Sequence, residues 1–124
     1  MKTDLTDIQL SLQGALADHD PHLQVRVHSE KNFEVAGTKE VMQGKQKVSG
    51  HYFASVMPKP KDIRLYFFPI YTHKEEFPAL SEDLQKALKG KSCFHIKKLS
   101  PEMEQEIQEM ISRGVELYRR DQLI

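Results

Sequence analysis

At 124 residues, 39% of them hydrophobic and 29% charged, the chain is long enough for one core and not for two, and too apolar for a disordered chain. No apolar run approaches the ~18 residues that span a bilayer. A single cysteine, Cys93, excludes an internal disulfide and any multi-cysteine zinc site. We therefore expect one domain over residues 1–124, with no membrane association. The opening Met1-Lys2-Thr3-Asp4-Leu5-Thr6-Asp7 lacks the apolar core of a signal peptide, so a cytoplasmic location is expected.

The net charge is zero, yet its distribution is uneven. Residues 1–30 carry two basic and five acidic side chains, residues 31–98 thirteen basic and seven acidic, and residues 99–124 three basic and six acidic. A basic middle between acidic ends fits mutual attraction between helices and sheet, or an anion-binding sheet face.

In chain order, Asp4 to Asp18 predicts an amphipathic helix with Leu5, Ile8, Leu12 and Ala15 or Leu16 on one face and Thr3 or Asp4 as cap. Asp20-Pro21 would end it. Leu23, Val25 and Val27 then alternate with Gln24, Arg26 and His28 as in a half-buried strand. A second strand is expected from Asn32 to Ala36, with a turn at Gly37. Lys39 to Lys47 reads either as a loop or as an exposed strand in which Gly44 allows a turn.

Val48 to Met57 and Ile63 to Phe68 predict two strands joined by Pro58-Lys59-Pro60-Lys61-Asp62, whose prolines suit a turn. On the second strand, Ile63, Leu65 and Phe67 point one way and Arg64, Tyr66 and Phe68 the other. Pro69 stops regular pairing, and Thr72, His73, Glu75 and Glu76 lie in a loop. A short helix follows, capped by Ser81, with Leu84 and Leu88 inward and Gly90 as its C-terminal cap. Ser92 to Lys97 is a buried strand that leads into the strongest helix of the chain.

That last helix has Ser100 as its cap, Pro101 in its first turn, Glu102 and Glu104 at its positive end and Arg119 and Arg120 at its negative end. Met103, Ile107, Met110, Gly114 and Leu117 form its stripe, widened by Ile111 and Tyr118. Glu109 with Arg113 and Glu116 with Arg120 are spaced as helical ion pairs. Gly114 reads either as a close-approach point against the sheet or as incidental. The order of elements predicts an α+β domain: a mainly antiparallel sheet on which an N-terminal helix, a short helix and a long C-terminal helix pack. One face of that sheet is then partly open.

Three stretches also carry a family resemblance. They are Tyr52-Phe53-Ala54-Ser55-Val56-Met57-Pro58-Lys59-Pro60-Lys61-Asp62-Ile63-Arg64-Leu65-Tyr66, Gly90-Lys91-Ser92-Cys93-Phe94-His95-Ile96-Lys97-Lys98-Leu99, and Ile111-Ser112-Arg113-Gly114-Val115-Glu116-Leu117-Tyr118. From about Lys47 onward the chain resembles the YdhG-like family of small bacterial domains of unknown function. The family's glycine-rich region before the first motif is represented loosely, by Gly37, Gly44 and Gly50. Some members are described as frataxin-like iron chaperones. Frataxin offers iron a dense acidic ridge near its first helix, whereas Asp4, Asp7, Asp18 and Asp20 are scattered here, so that role transfers poorly.

The residues themselves offer three constellations. Asp18-His19-Asp20-Pro21-His22 holds two imidazoles and two carboxylates, but matches no known ligand spacing and suits a polar helix-to-strand turn equally well. Cys93 and His95 share one side of a strand about 7 Å apart, too far for direct proton transfer without a bend. Arg64 and Tyr66, with Tyr52 and His51 on the neighbouring strand and Lys59 and Lys61 at the rim, form a candidate polar-aromatic platform for an acidic peptide, a nucleotide-like anion or single-stranded nucleic acid. The opposing interpretation makes Tyr66 and Phe68 core residues beneath a helix. No phosphate-cradling glycine loop, helical histidine pair or serine nucleophile motif occurs, and nothing calls for a cofactor.

The expected function is a non-enzymatic binding or accessory domain. Its ligand-binding residues would be Tyr52, Lys59, Lys61, Arg64, Tyr66 and His95, and its partner a small anionic ligand or another protein. The alternatives are a small enzyme using His95 as acid or base, and a frataxin-like iron-binding protein. Zero net charge argues against nucleic acid as a general partner.

Overall fold

A computed structural model describes residues 1–19, 22–43, 45–77 and 79–124. Its elements are α1 (Leu5–Ala17), β1 (Gln24–His28), β2 (Phe33–Ala36), β3 (Val41–Gln43), β4 (Gln46–Val48), β5 (Tyr52–Pro58), β6 (Ile63–Phe67), α2 (Pro69–Thr72), α3 (Glu82–Ala87), β7 (Leu88–Lys89), β8 (Cys93–Ile96) and α4 (Pro101–Arg120). Six strands form one antiparallel sheet in the order β1-β2-β5-β6-β8-β7, and β3 and β4 form a separate hairpin. This is the expected α+β arrangement. No described helix is long and apolar enough to cross a membrane.

The helices form where their caps and stripes require. Asp4 accepts the backbone N–H groups of Thr6 and Asp7, Ser81 that of Leu84, and Ser100 that of Met103. Ile8, Leu12 and Leu16 of α1 join Ile107, Met110, Ile111, Val115 and Tyr118 of α4 in one core with Val56, Leu65, Phe67, Phe94 and Ile96 of the sheet. Ile70 of α2 and Leu84 and Ala87 of α3 belong to the same cluster. All the helices thus bury side chains in one core on one side of the sheet. Gly114 lets α4 approach that side closely: a Cβ there would meet the ring ends of Phe67 and Phe53.

Two one-residue register shifts decide which side chains face away from the helices. Between β2 and β5 the pairing steps from Val35–Ala54 to Ala36–Tyr52, leaving Phe53 as the extra residue. That bulge turns Phe53 into the core beside Ala54 and puts Tyr52 on the same side as Ser55. Between β1 and β2 the pairing steps from Val25–Val35 to Val27–Glu34, leaving Arg26 as the extra residue. Val27 therefore lies opposite Glu34 on the uncovered side.

This corrects the reading of Val25 and Val27 as inward residues: they are 42% and 37% exposed. The shift at Arg26 explains Val27. Val25 sits on the outermost strand, and α1 packs over β5 and β6 in the middle of the sheet.

Further corrections are local. Val48 belongs to the β3–β4 hairpin, not to the long strand, which begins at Tyr52. The segment after Pro69 is helical in α2 and turns again at Lys74–Glu76, so it is not a plain loop. Gly90, with φ of +71°, serves the turn between β7 and β8, because α3 ends three residues earlier and the chain re-enters the sheet at Leu88. The Glu109–Arg113 and Glu116–Arg120 pairs give way to a clamp in which Arg113 and Arg120 both bond Glu76 at 3.1 Å. The Asp20-Pro21 helix stop and the Gly44 turn lie outside the described residues, and α1 ends at Ala17 with Asp18 as its cap.

Candidate functional site

The side of the sheet away from the helices carries a continuous cross-strand row. Val27 lies opposite Glu34, Glu34 opposite Ser55, Ser55 opposite Tyr66, Tyr66 opposite Cys93 and Cys93 opposite Lys89. The next row sets Met57 against Arg64 and Arg64 against His95. Residues facing each other across strands share a side, so Arg64, Tyr66, His95 and Cys93 occupy one surface. Each is partly exposed, and none belongs to the core. Tyr66 therefore does not lie beneath a helix.

Asp62 organises one end of this surface. It sits in the β5–β6 turn, where its carbonyl accepts the Lys59 N–H at 2.9 Å. The residue is only 6% exposed. One carboxylate oxygen accepts from Arg64 Nε at 3.3 Å, and the other lies 3.6 Å from His95 Nδ1. The second contact is an ion-pair distance, longer than a hydrogen bond.

Lys59, Lys61, Asp62, Arg64 and Lys97 line a depression of about 300 Å³. His95 also borders a neighbouring hollow of about 440 Å³ that reaches Lys86, Lys89, Lys97 and Met103.

The middle of the surface is aromatic and hydroxylic. Tyr52 donates to Ser55 Oγ at 2.7 Å, and its ring packs against Phe68 at 5.5 Å between centroids. Burial pushes the Tyr52 hydroxyl up to about 12, although the Ser55 bond pulls the other way. Burial raises the Cys93 thiol above its ordinary value, outweighing Tyr66, Arg64 and Lys59, which lower it. A thiol held protonated is a poor nucleophile. Glu34 is bonded by Arg26 at 3.0 to 3.1 Å and so does not stand as a free carboxylate on this side.

Of the residues expected at the site, Arg64, Tyr66 and His95 come together on this surface. Tyr52 joins them one strand over because of the bulge at Phe53, and Lys59 and Lys61 stand at the rim. His51 does not belong to the platform. It turns towards α4, where Nδ1 lies 3.0 Å from the Tyr118 hydroxyl, which in turn donates to the Tyr52 carbonyl.

Asp62 and Lys97 were missed as members of the site. The signal for Asp62 was present, since it lies two residues before Arg64 and hence on the same strand face. Of the Asp18–His22 cluster, Asp20 and Pro21 lie outside the described residues. Among the described residues, no group of three or more His, Cys, Asp or Glu side chains is placed to hold a metal ion.

Comparison with family models, with curated proteins and with solved structures finds no match to this chain.

Proposed function

We propose that the protein is a non-enzymatic binding or accessory domain that takes an anionic ligand on the uncovered side of its sheet, at the end near the β5–β6 turn. One observation carries this reading. Lys59, Lys61, Arg64 and Lys97 converge on a single depression whose one carboxylate, Asp62, is buried and already engaged by Arg64. Such an excess of positive charge at a concave surface attracts anions despite zero overall charge. Arg64 spends only Nε on Asp62, so its terminal amino groups remain for an oxyanion.

The test is a calorimetric titration at low salt of pyrophosphate, citrate and polyphosphate into the wild type and into a Lys59→Gln, Lys61→Gln, Arg64→Gln variant. Binding by the wild type that weakens as salt rises, and its loss in a variant of unchanged circular dichroism, supports the site. If neither protein binds, or both bind alike, the charge segregation serves only helix-to-sheet attraction.

A second reading, a small enzyme with His95 as acid or base, is favoured by the 3.6 Å approach of Asp62 to His95 Nδ1 at the edge of the 440 Å³ hollow. It predicts a turnover that His95→Gln abolishes while anion binding persists. The frataxin-like iron alternative gains no support from the scattered acidic residues. Kinship with the YdhG-like bacterial domains, and with it a cytoplasmic setting, is proposed on the three sequence stretches alone.

A further inference from the structure

Along β6, Asp62, Arg64 and Tyr66 point to the same side at successive two-residue steps, each about 7 Å. An anion bonded by Arg64 therefore lies about one strand step from Tyr66. That ring is half-buried.

Beyond Tyr66 the row continues through Ser55 to Glu34. A ligand placing further phosphates in that direction would meet a carboxylate, although Arg26 partly offsets it. Towards β2 the surface thus offers one compact anion pocket, then an aromatic ring, then a carboxylate and not a further cation site.

From this arrangement, and resting on the anion-binding reading above, we propose that the ligand is a nucleoside phosphate. Its phosphate occupies the Lys59–Lys61–Arg64–Lys97 depression and its base lies against Tyr66. Stacking on an aromatic ring adds affinity with little dependence on the identity of the base. Charge-assisted bonds from Arg64 and the lysines fix the phosphate. A single strand running towards β2 would meet the Arg26–Glu34 pair and no further lysine, and a bare inorganic anion leaves the Tyr66 ring unused.

The experiment titrates the whole chain at low salt, by calorimetry, with inorganic phosphate, ribose 5-phosphate, adenosine and the four common ribonucleoside 5′-monophosphates. The expected result is that the nucleotides bind about tenfold or more tighter than ribose 5-phosphate, with adenosine weaker than either. Tyr66→Leu, which keeps apolar bulk at a half-buried position, should bring nucleotide affinity down to that of ribose 5-phosphate. Tyr66→Phe should preserve it.

Amide chemical shifts of the wild type supply a readout that needs no variant. On titration with adenosine 5′-monophosphate, the perturbed residues should lie in 57–66 and 93–97. Equal affinities for nucleotide and ribose 5-phosphate would overturn the nucleotide assignment while leaving the anion site standing. Absence of binding by every phosphate would sink both. Shifts centred elsewhere, or nucleotide affinity unchanged in Tyr66→Leu, would also overturn the proposal.

Discussion

A Cβ placed on Gly114 of α4 would sit 2.8 Å from Cζ of Phe67 on β6, and 3.1 Å from Cζ of Phe53. Both rings are fully buried and meet edge to face at 5.5 Å, so neither can retreat without displacing the other. Gly114 is thus the point where the long helix touches the sheet. Gly114→Ala should return roughly 1 kcal/mol of helix propensity and lose about 1–3 kcal/mol to overpacking. Urea denaturation should show a net loss on the order of 1 kcal/mol. A stabilised variant would mean that α4 stands farther from the sheet than described.

The end of α4 invites the opposite substitution. Gln122 has φ of +61°, and the Leu123 N–H reaches back to the Tyr118 carbonyl at 2.8 Å. This is a helix terminus that ordinarily uses glycine. A non-glycine residue in that conformation costs about 1–2 kcal/mol, against about 0.5–1 kcal/mol for the extra freedom of glycine in the unfolded chain. Gln122→Gly should therefore raise stability by about 0.5–1 kcal/mol, read as a higher denaturation midpoint. A lower midpoint would show that the glutamine side chain contributes at this end.

The two register shifts make a paired prediction on β1 and β2. Val27→Thr changes an exposed side chain and should alter stability by less than about 0.5 kcal/mol. Val35→Thr buries a hydroxyl in a fully enclosed site and should cost about 1–3 kcal/mol. Equal effects in thermal unfolding would mean that β1 lacks the bulge at Arg26 and that Val27 faces inward after all.

Stability should depend on pH through His51 and His19. Burial lowers both below the ordinary 6.5, the Tyr52 carbonyl opposing it at His51 and Asp18 opposing it at His19. The folded protein therefore favours the neutral rings, while the unfolded chain takes up protons as pH falls through 6.5. Their contribution is fully present above that value and declines below it, down to the lowered folded values. His51→Asn should flatten the loss of stability between pH 6.5 and 5, measured by denaturant titration at each pH. An unchanged slope would leave His51 without a part in it.

Much of the local structure followed from short-range chemistry. Ser100 and Pro101 announced α4, Ser81 announced α3, and the apolar spacing of Ile107, Met110, Gly114 and Leu117 marked the buried face, because capping and a period of 3.6 depend only on residues a turn apart. The side-by-side placement of Arg64 and Tyr66 was legible for the same reason, being a period-2 relation within one strand.

Relations between strands were not legible. The bulges at Arg26 and Phe53 arise from pairing with β2, so simple alternation put Val27 on the wrong side and could not show how Tyr52 comes to lie beside Ser55. Gly90 looked like a helix cap until the β7–β8 pairing claimed it for a hairpin turn.

Which side of the sheet lies bare was decided by where α1 and α4 pack, and the contact of Asp62 with both Arg64 and His95 by the pairing of β6 with β8. By itself the sequence determined the caps, the stripes and the identity of the basic and aromatic side chains. Only the tertiary structure decided which of them share a surface, because register and helix placement are set by burial between residues far apart in the chain.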